Sequence, residues 1–158
     1  MLSFTERVYF AAPFEHPAEV AFNNRVAALV RAYNFPLFMP QEVRGELHAQ
    51  GLTGEELDER LMEVCMDVLS RASLVIAVFY GEEFDPLTAF EVGYALGRRT
   101  NVVAVRNTLE PELFRRNGSG RHASPHICSR IVVAPHDDER FPDRLIPILN
   151  RYFVAHKL

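Results

Sequence analysis

Apolar residues in this chain fall into two rhythms. Unbroken runs at Val8-Tyr-Phe-Ala-Ala12, Leu74-Val-Ile-Ala-Val-Phe79, Asn101–Val105 and Ile131-Val-Val-Ala134 read as buried strands. Between them, residues 17–33 set Val20, Ala21, Val26, Ala27, Val30 and Ala32 near helical spacing. A second helix opens at Thr53-Gly-Glu-Glu-Leu57 and runs through Leu61, Val64, Val68 and Leu69 to about Ala72. Ala89–Arg98 and Phe141–Phe153 read as two more helices, the last with Pro142 near its first turn. Pro36-Leu-Phe-Met-Pro40 is a short second strand. Residues 41–53, polar with two glycines, read as a loop over the sheet's edge, and residues 107–126, rich in Gly, Ser, Arg and His, as a long connection.

Strands alternating with helices imply an α/β fold with a parallel sheet and right-handed crossovers. The expected architecture is a single flavodoxin-like (Rossmann-like) domain over residues 1–158, with five strands in the order 2-1-3-4-5 and helices on both faces. Internal repeats and an interdomain linker are not evident.

Composition narrows the class. With 48 % hydrophobic and 24 % charged residues, the chain is ordinary globular protein. A net charge of −4 and a pI near 5.9 speak against a nucleic-acid partner. The pairs Arg98-Arg99 and Arg115-Arg116 read as solvated surface. Cys65 and Cys128 are too few for a disulfide framework and lack metal-ligand spacing, which fits a reduced, cytoplasmic setting. No signal-peptide core and no membrane-length apolar run is expected.

In a sheet of this order ligands bind where strands one and three end. Tyr9, Phe10, Pro13 and Phe14 come from the first, and Asp85 and Glu91 follow the third, in Asp85-Pro-Leu-Thr-Ala-Phe-Glu91-Val-Gly-Tyr-Ala-Leu-Gly97. Aromatic surface beside two acids suits a flat, apolar ligand with a polar handle. A carboxylate can also attack a sugar's anomeric carbon through an oxocarbenium-like transition state. Each residue has a plainer reading. Thr88-x-x-Glu91 matches a capping box, Asp85 an acid in an Asx turn with Pro86, Tyr9 a core residue, and Gly93 a site of close helix–strand packing. The first turn, Ala11-Ala12-Pro13-Phe14, has no glycine-rich phosphate loop, which argues against dinucleotides and phosphorylated ligands. His122, His126 and His136 are scattered, and His136-Asp137-Asp138 reads as a charged turn, so no metal and no cofactor is expected.

Val8-Tyr-Phe-Ala-Ala-Pro13 and the stretch Leu74–Gly97 together resemble the nucleoside 2-deoxyribosyltransferase family, the second being similar to its DxGTAFExGYA signature. The likeness runs from Val8 to about Val105. It implies transfer of a 2-deoxyribosyl group between purine or pyrimidine bases through a covalent glycosyl-enzyme. Glu91 would be the nucleophile, Asp85 the acid that contacts and protonates the leaving base, and Tyr9 the group that orients the nucleophile. Gln41 would correspond to a base-contacting glutamine. Departures fall at Leu87, where the family often has glycine, at Cys65, where by ungapped counting an acid stands on the preceding helix, and at Ser73, where an acid opens strand three. Asp67 is near Cys65 but faces elsewhere on a helix. An asparagine that a neighbouring subunit gives to the sugar is matched in position most nearly by His126.

The substrates implied are a deoxynucleoside and a free nucleobase, without nucleic acid or membrane, in a homo-oligomer (a dimer or higher) whose sites lie near subunit interfaces. Two alternatives stand beside transfer: a nucleoside or nucleotide N-glycosidase, in which water replaces the second base, and a non-catalytic nucleoside-binding module.

Overall fold

The computed structural model describes residues 8–80, 85–107, 130–134 and 141–154. Its elements are strand β1 (Val8–Ala11), helix α1 (Pro17–Ala32), strand β2 (Leu37–Phe38), helices α2 (Pro40–Ala49) and α3 (Gly54–Arg71), and strand β3 (Leu74–Tyr80). Helix α4 (Pro86–Gly97), strands β4 (Asn101–Asn107) and β5 (Arg130–Ala134) and helix α5 (Phe141–Val154) complete them. The sheet is parallel throughout, in the order β2-β1-β3-β4-β5.

Strand alternation divides the core in two. Val8 and Phe10 of β1 turn to one face and pack with Phe22, Val26 and Val30 of α1 and Leu145 and Leu149 of α5. Tyr9 and Ala11 turn to the other, where α2, α3 and α4 supply Val43, Leu47, Leu61, Val68, Val92 and Ala95. Both faces of β3 are therefore covered, which is why its sequence is apolar without interruption. The expected connection over 107–126 lies outside the described residues, apart from Asn107 at the end of β4; so do Cys128, the Arg115-Arg116 pair and His136-Asp137-Asp138.

Three expectations are corrected. The polar loop over 41–53 is instead mostly α2. Pro40 sits at its start, where a fixed φ and a missing N–H cost nothing. Val43 and Leu47, one turn apart, bury its single apolar face, while Gly51, at φ +97°, turns the chain out of it. The second correction is the start of α4. Asp85, not Thr88, caps the helix: its Oδ2 accepts the Thr88 N–H at 2.6 Å, and Pro86 takes the first helical position. Glu91 thus lies beyond the first turn and is no part of a capping box. Gly93 is exposed, with nothing within 4 Å of where a Cβ would stand, so close packing is not its role either.

Candidate active site

β1 and β3 are neighbours, with Tyr9 in register with Val75 and Ala11 with Ala77. The chain leaves both strands at the same edge of the sheet. There the turn after β1 brings in Pro13 and Phe14, and α4 brings in Asp85, Leu87 and Glu91. Tyr9 has no solvent exposure and stacks on Phe38 with ring centres 5.3 Å apart. Its hydroxyl donates to Glu91 Oε1. Burial, then the nearby Glu91 and Cys65, hold Tyr9 far above the usual phenol range, so it stays a neutral donor.

Glu91 is only 5 % exposed. Burial pushes its carboxyl up from 4.5 to about 7; the Tyr9 hydrogen bond works the other way, and the Asp85 carboxylate adds to the rise. A carboxyl poised near neutrality in a cleft has the character of a catalytic group. Cys65, on α3, faces the same cavity; burial holds its thiol near 12, so it is an uncharged wall residue. Asp85 spends one oxygen on the Thr88 N–H, and its residue borders the cavity.

The cavity encloses about 180 Å³. Phe14, Leu61, Met62, Cys65 and Leu87 give it apolar walls, and Arg44 and Asp58, paired at 3.0 Å, stand at its exposed edge. Asp85 and Glu91 are the acids deepest in this apolar setting. Such a site can hold a neutral, largely apolar ligand against a carboxylate whose orientation a tyrosine fixes. Among the described residues no three His, Cys, Asp or Glu side chains cluster as metal ligands would.

Of the residues singled out from sequence, Tyr9, Phe14, Cys65, Asp85, Leu87 and Glu91 converge here. Phe10 does not. One residue on from Tyr9, it points to the opposite face, 2 % exposed beneath α1 and α5, and cannot touch a ligand in this cavity. Gln41 lies on α2 rather than in a loop, and borders a neighbouring cavity of about 700 Å³ that shares Phe14 and Arg44 with the first. Its amide is held by Asn23 and Asn24. Asp67 is exposed and paired with Arg71, facing away as its helical position implied. His126 lies outside the described residues. Sequence reasoning passed over Arg44, Asp58, Met62 and Asn23. Only Asn23 carried a signal, as an amide beside Phe22 and Val26 on the apolar stripe of α1.

A family model for nucleoside 2-deoxyribosyltransferases matches residues 8–125. Solved structures share the fold at low identity. A 2-deoxyribosyltransferase from Bacillus psychrosaccharolyticus is 17 % identical, with a TM-score of 0.56 over 63 % of this chain and 71 % of that one. A conserved protein from Enterococcus faecalis V583 is 18 % identical, with a TM-score of 0.61 over 92 % and 98 %. A 2-desoxiribosyltransferase from Leishmania mexicana is 20 % identical, with a TM-score of 0.54 over 97 % and 99 %. No curated protein matches the chain in sequence. Among the described residues no helix is long and apolar enough to cross a membrane.

Proposed function

Because the chain belongs to the nucleoside 2-deoxyribosyltransferase family, we propose that it moves a 2-deoxyribosyl group from one nucleobase to another, with Glu91 as the covalent carrier. The observation that carries this reading is the buried Glu91 carboxyl, aimed into the cavity and held by the Tyr9 hydroxyl.

In the first displacement a Glu91 oxygen attacks C1′ of the nucleoside. The C1′–N bond breaks, and the base leaves with a proton delivered by Asp85; the two acids share one proton, which sits on Asp85 when Glu91 is ionised. In the second, a nitrogen of the incoming base attacks C1′, releases Glu91 and returns the proton to Asp85. Tyr9 holds one carboxylate oxygen so that the other can meet the sugar. The apolar walls favour a nucleoside without phosphate: the turn Ala12-Pro13-Phe14 offers an anion no basic or hydroxyl side chain. The reading includes an assembly of two or more chains with sites near their interfaces. Met62 and Leu87, large apolar residues more than 40 % exposed, border the cavity and would be covered there.

The test is base exchange between thymidine and adenine, followed beside the release of free deoxyribose. Formation of 2′-deoxyadenosine and thymine in equal amounts, with little free sugar, supports transfer. Free sugar released at the same rate with or without adenine replaces it with hydrolysis, and neither product leaves a binding module.

A further inference from the structure

Asn23 is a fully buried amide in the apolar face of α1, with no exposed surface. It borders neither cavity, yet it ties together three segments that leave the same edge of the sheet. Its Nδ2 donates to Pro13 O at 2.9 Å and to Gln41 Oε1 at 3.1 Å. The Tyr80 hydroxyl lies 2.9 Å from Asn23 Oδ1 and 3.0 Å from Glu19 O, with one proton to give to these acceptors. Burial keeps that phenol neutral and so keeps it a donor.

The direction of every amide in this chain of bonds follows from one atom. A backbone carbonyl only accepts, so the NH₂ of Asn23 must face Pro13. Its second hydrogen then demands an acceptor, which fixes Gln41 with Oε1 inward. The Gln41 Nε2 is left pointing outward, where it donates to Asn24 Oδ1 at 2.7 Å. One buried side chain thereby locks the Pro13–Phe14 wall, which the two cavities share at Phe14, and the polarity of the Gln41 amide beside the second. A network built on a fully buried, satisfied amide specifies one arrangement at that amide, because any other leaves its polar atoms unpaired.

We propose that Asn23 is a positioning residue: through Pro13 and Gln41 it sets how tightly the nucleoside is held, without contacting it. The proposal rests on the transferase reading for its substrate but is measured separately from it.

Asn23→Leu keeps the branched shape, with a larger volume, and removes all three bonds. For thymidine–adenine exchange it is expected to raise KM about tenfold, within the cost of misplacing binding groups, while kcat and the pH midpoint of the reaction change little. Tyr80→Phe takes the phenol donor from the Asn23 carbonyl and from Glu19 O, leaves the Pro13 and Gln41 bonds in place, and is expected to raise KM by a smaller factor. It also serves where Asn23→Leu fails to fold. In a Gln41→Ala background the effect of Asn23→Leu should shrink, because part of it acts through Gln41. A lowered melting temperature with unchanged KM in both single variants overturns the proposal, as does full additivity with Gln41→Ala. If the parent protein exchanges no bases, the transferase reading fails instead. Calorimetric titration of thymidine and 2′-deoxyadenosine into the parent and Asn23→Leu proteins then decides the positioning role alone: weaker binding by the variant supports it, and equal binding or none by either protein overturns it.

Discussion

Tyr9 donates its hydroxyl hydrogen to Glu91 across the gap between a central strand and the helix that follows the next one. The phenol is sealed from solvent and cannot ionise near neutrality, so the bond has one direction. It favours the charged form of Glu91 against burial and against the negative charge of Asp85, both of which oppose that form. The balance leaves Glu91 near 7, low enough to be ionised in part at neutral pH and high enough to keep its oxygens reactive.

The transfer reaction should therefore lose rate as the pH falls through about 7, because only the ionised Glu91 attacks C1′. Removing the donor in Tyr9→Phe takes away the one contribution that lowers the Glu91 pKa. The acid limb of the kcat/KM profile is expected to move alkaline by roughly one to two pH units, since a hydrogen bond to a charged group contributes about 1.5–3 kcal/mol. An unmoved limb would detach Tyr9 from the nucleophile.

The same burial makes a stability prediction. The Glu91 carboxyl binds its proton more tightly in the folded protein, near 7, than in the unfolded chain, near 4.5. Folding is therefore favoured below 4.5 relative to above 7, and stability falls as the pH rises through that window, by on the order of 3 kcal/mol for this residue. Glu91→Gln cannot ionise and should flatten the curve. Urea unfolding at pH 5 and pH 8 checks this: the parent should lose more stability than the variant between the two. Glu91→Gln should also abolish base exchange, so that loss of activity comes with no loss of fold.

In the proposed reaction Asp85 has a second job beside capping α4, and substitutions can separate the two. Asn caps a helix about as well as Asp, so Asp85→Asn should retain stability while losing the proton for the leaving base, a factor of about 10²–10⁴ in rate. The loss should be greatest for the poorest leaving bases. Asp85→Ala should lose both that activity and about 1 kcal/mol of stability, because the Thr88 N–H is left without its acceptor. Full activity of Asp85→Asn on every base would reduce Asp85 to a cap.

The parts of this site legible in sequence are those governed by the strongest local patterns. An apolar strand, an acidic loop and a helix in that order place Asp85 and Glu91 at the ligand-binding edge, and the strand periodicity places Tyr9 near them. Phe10 was legible too: side chains alternate along a strand, so neighbours on β1 cannot share a face, and choosing Tyr9 excludes Phe10. Helix α2 was obscured because Val43 and Leu47 are nearly its whole apolar content and Gly45 interrupts it. The start of α4 offered two competing caps. Asp85-Pro86 prevailed over Thr88-x-x-Glu91, and Glu91 became free for other work. Asn23 was hidden for a different reason. Its partners Pro13, Gln41 and Tyr80 are separated along the chain and meet only when the sheet is built.

A carboxylate nucleophile divides the reaction into two displacements, and the intermediate between them can be caught. A 2-deoxynucleoside given without acceptor base should release base and leave the sugar esterified to Glu91. With a 2-fluoro-2-deoxy analogue the ester should persist longer, because fluorine destabilises the oxocarbenium-like transition state of its breakdown. Mass spectrometry of the intact protein should show one added deoxyribosyl group, and peptides spanning Asp85–Gly97 should place it on Glu91. Addition of a second base should discharge the adduct and give a nucleoside with the anomeric configuration of the first, since two inversions restore it. Exchange with inverted configuration would mean direct displacement by the incoming base, and a label on any residue other than Glu91 would move the nucleophile elsewhere in the cavity.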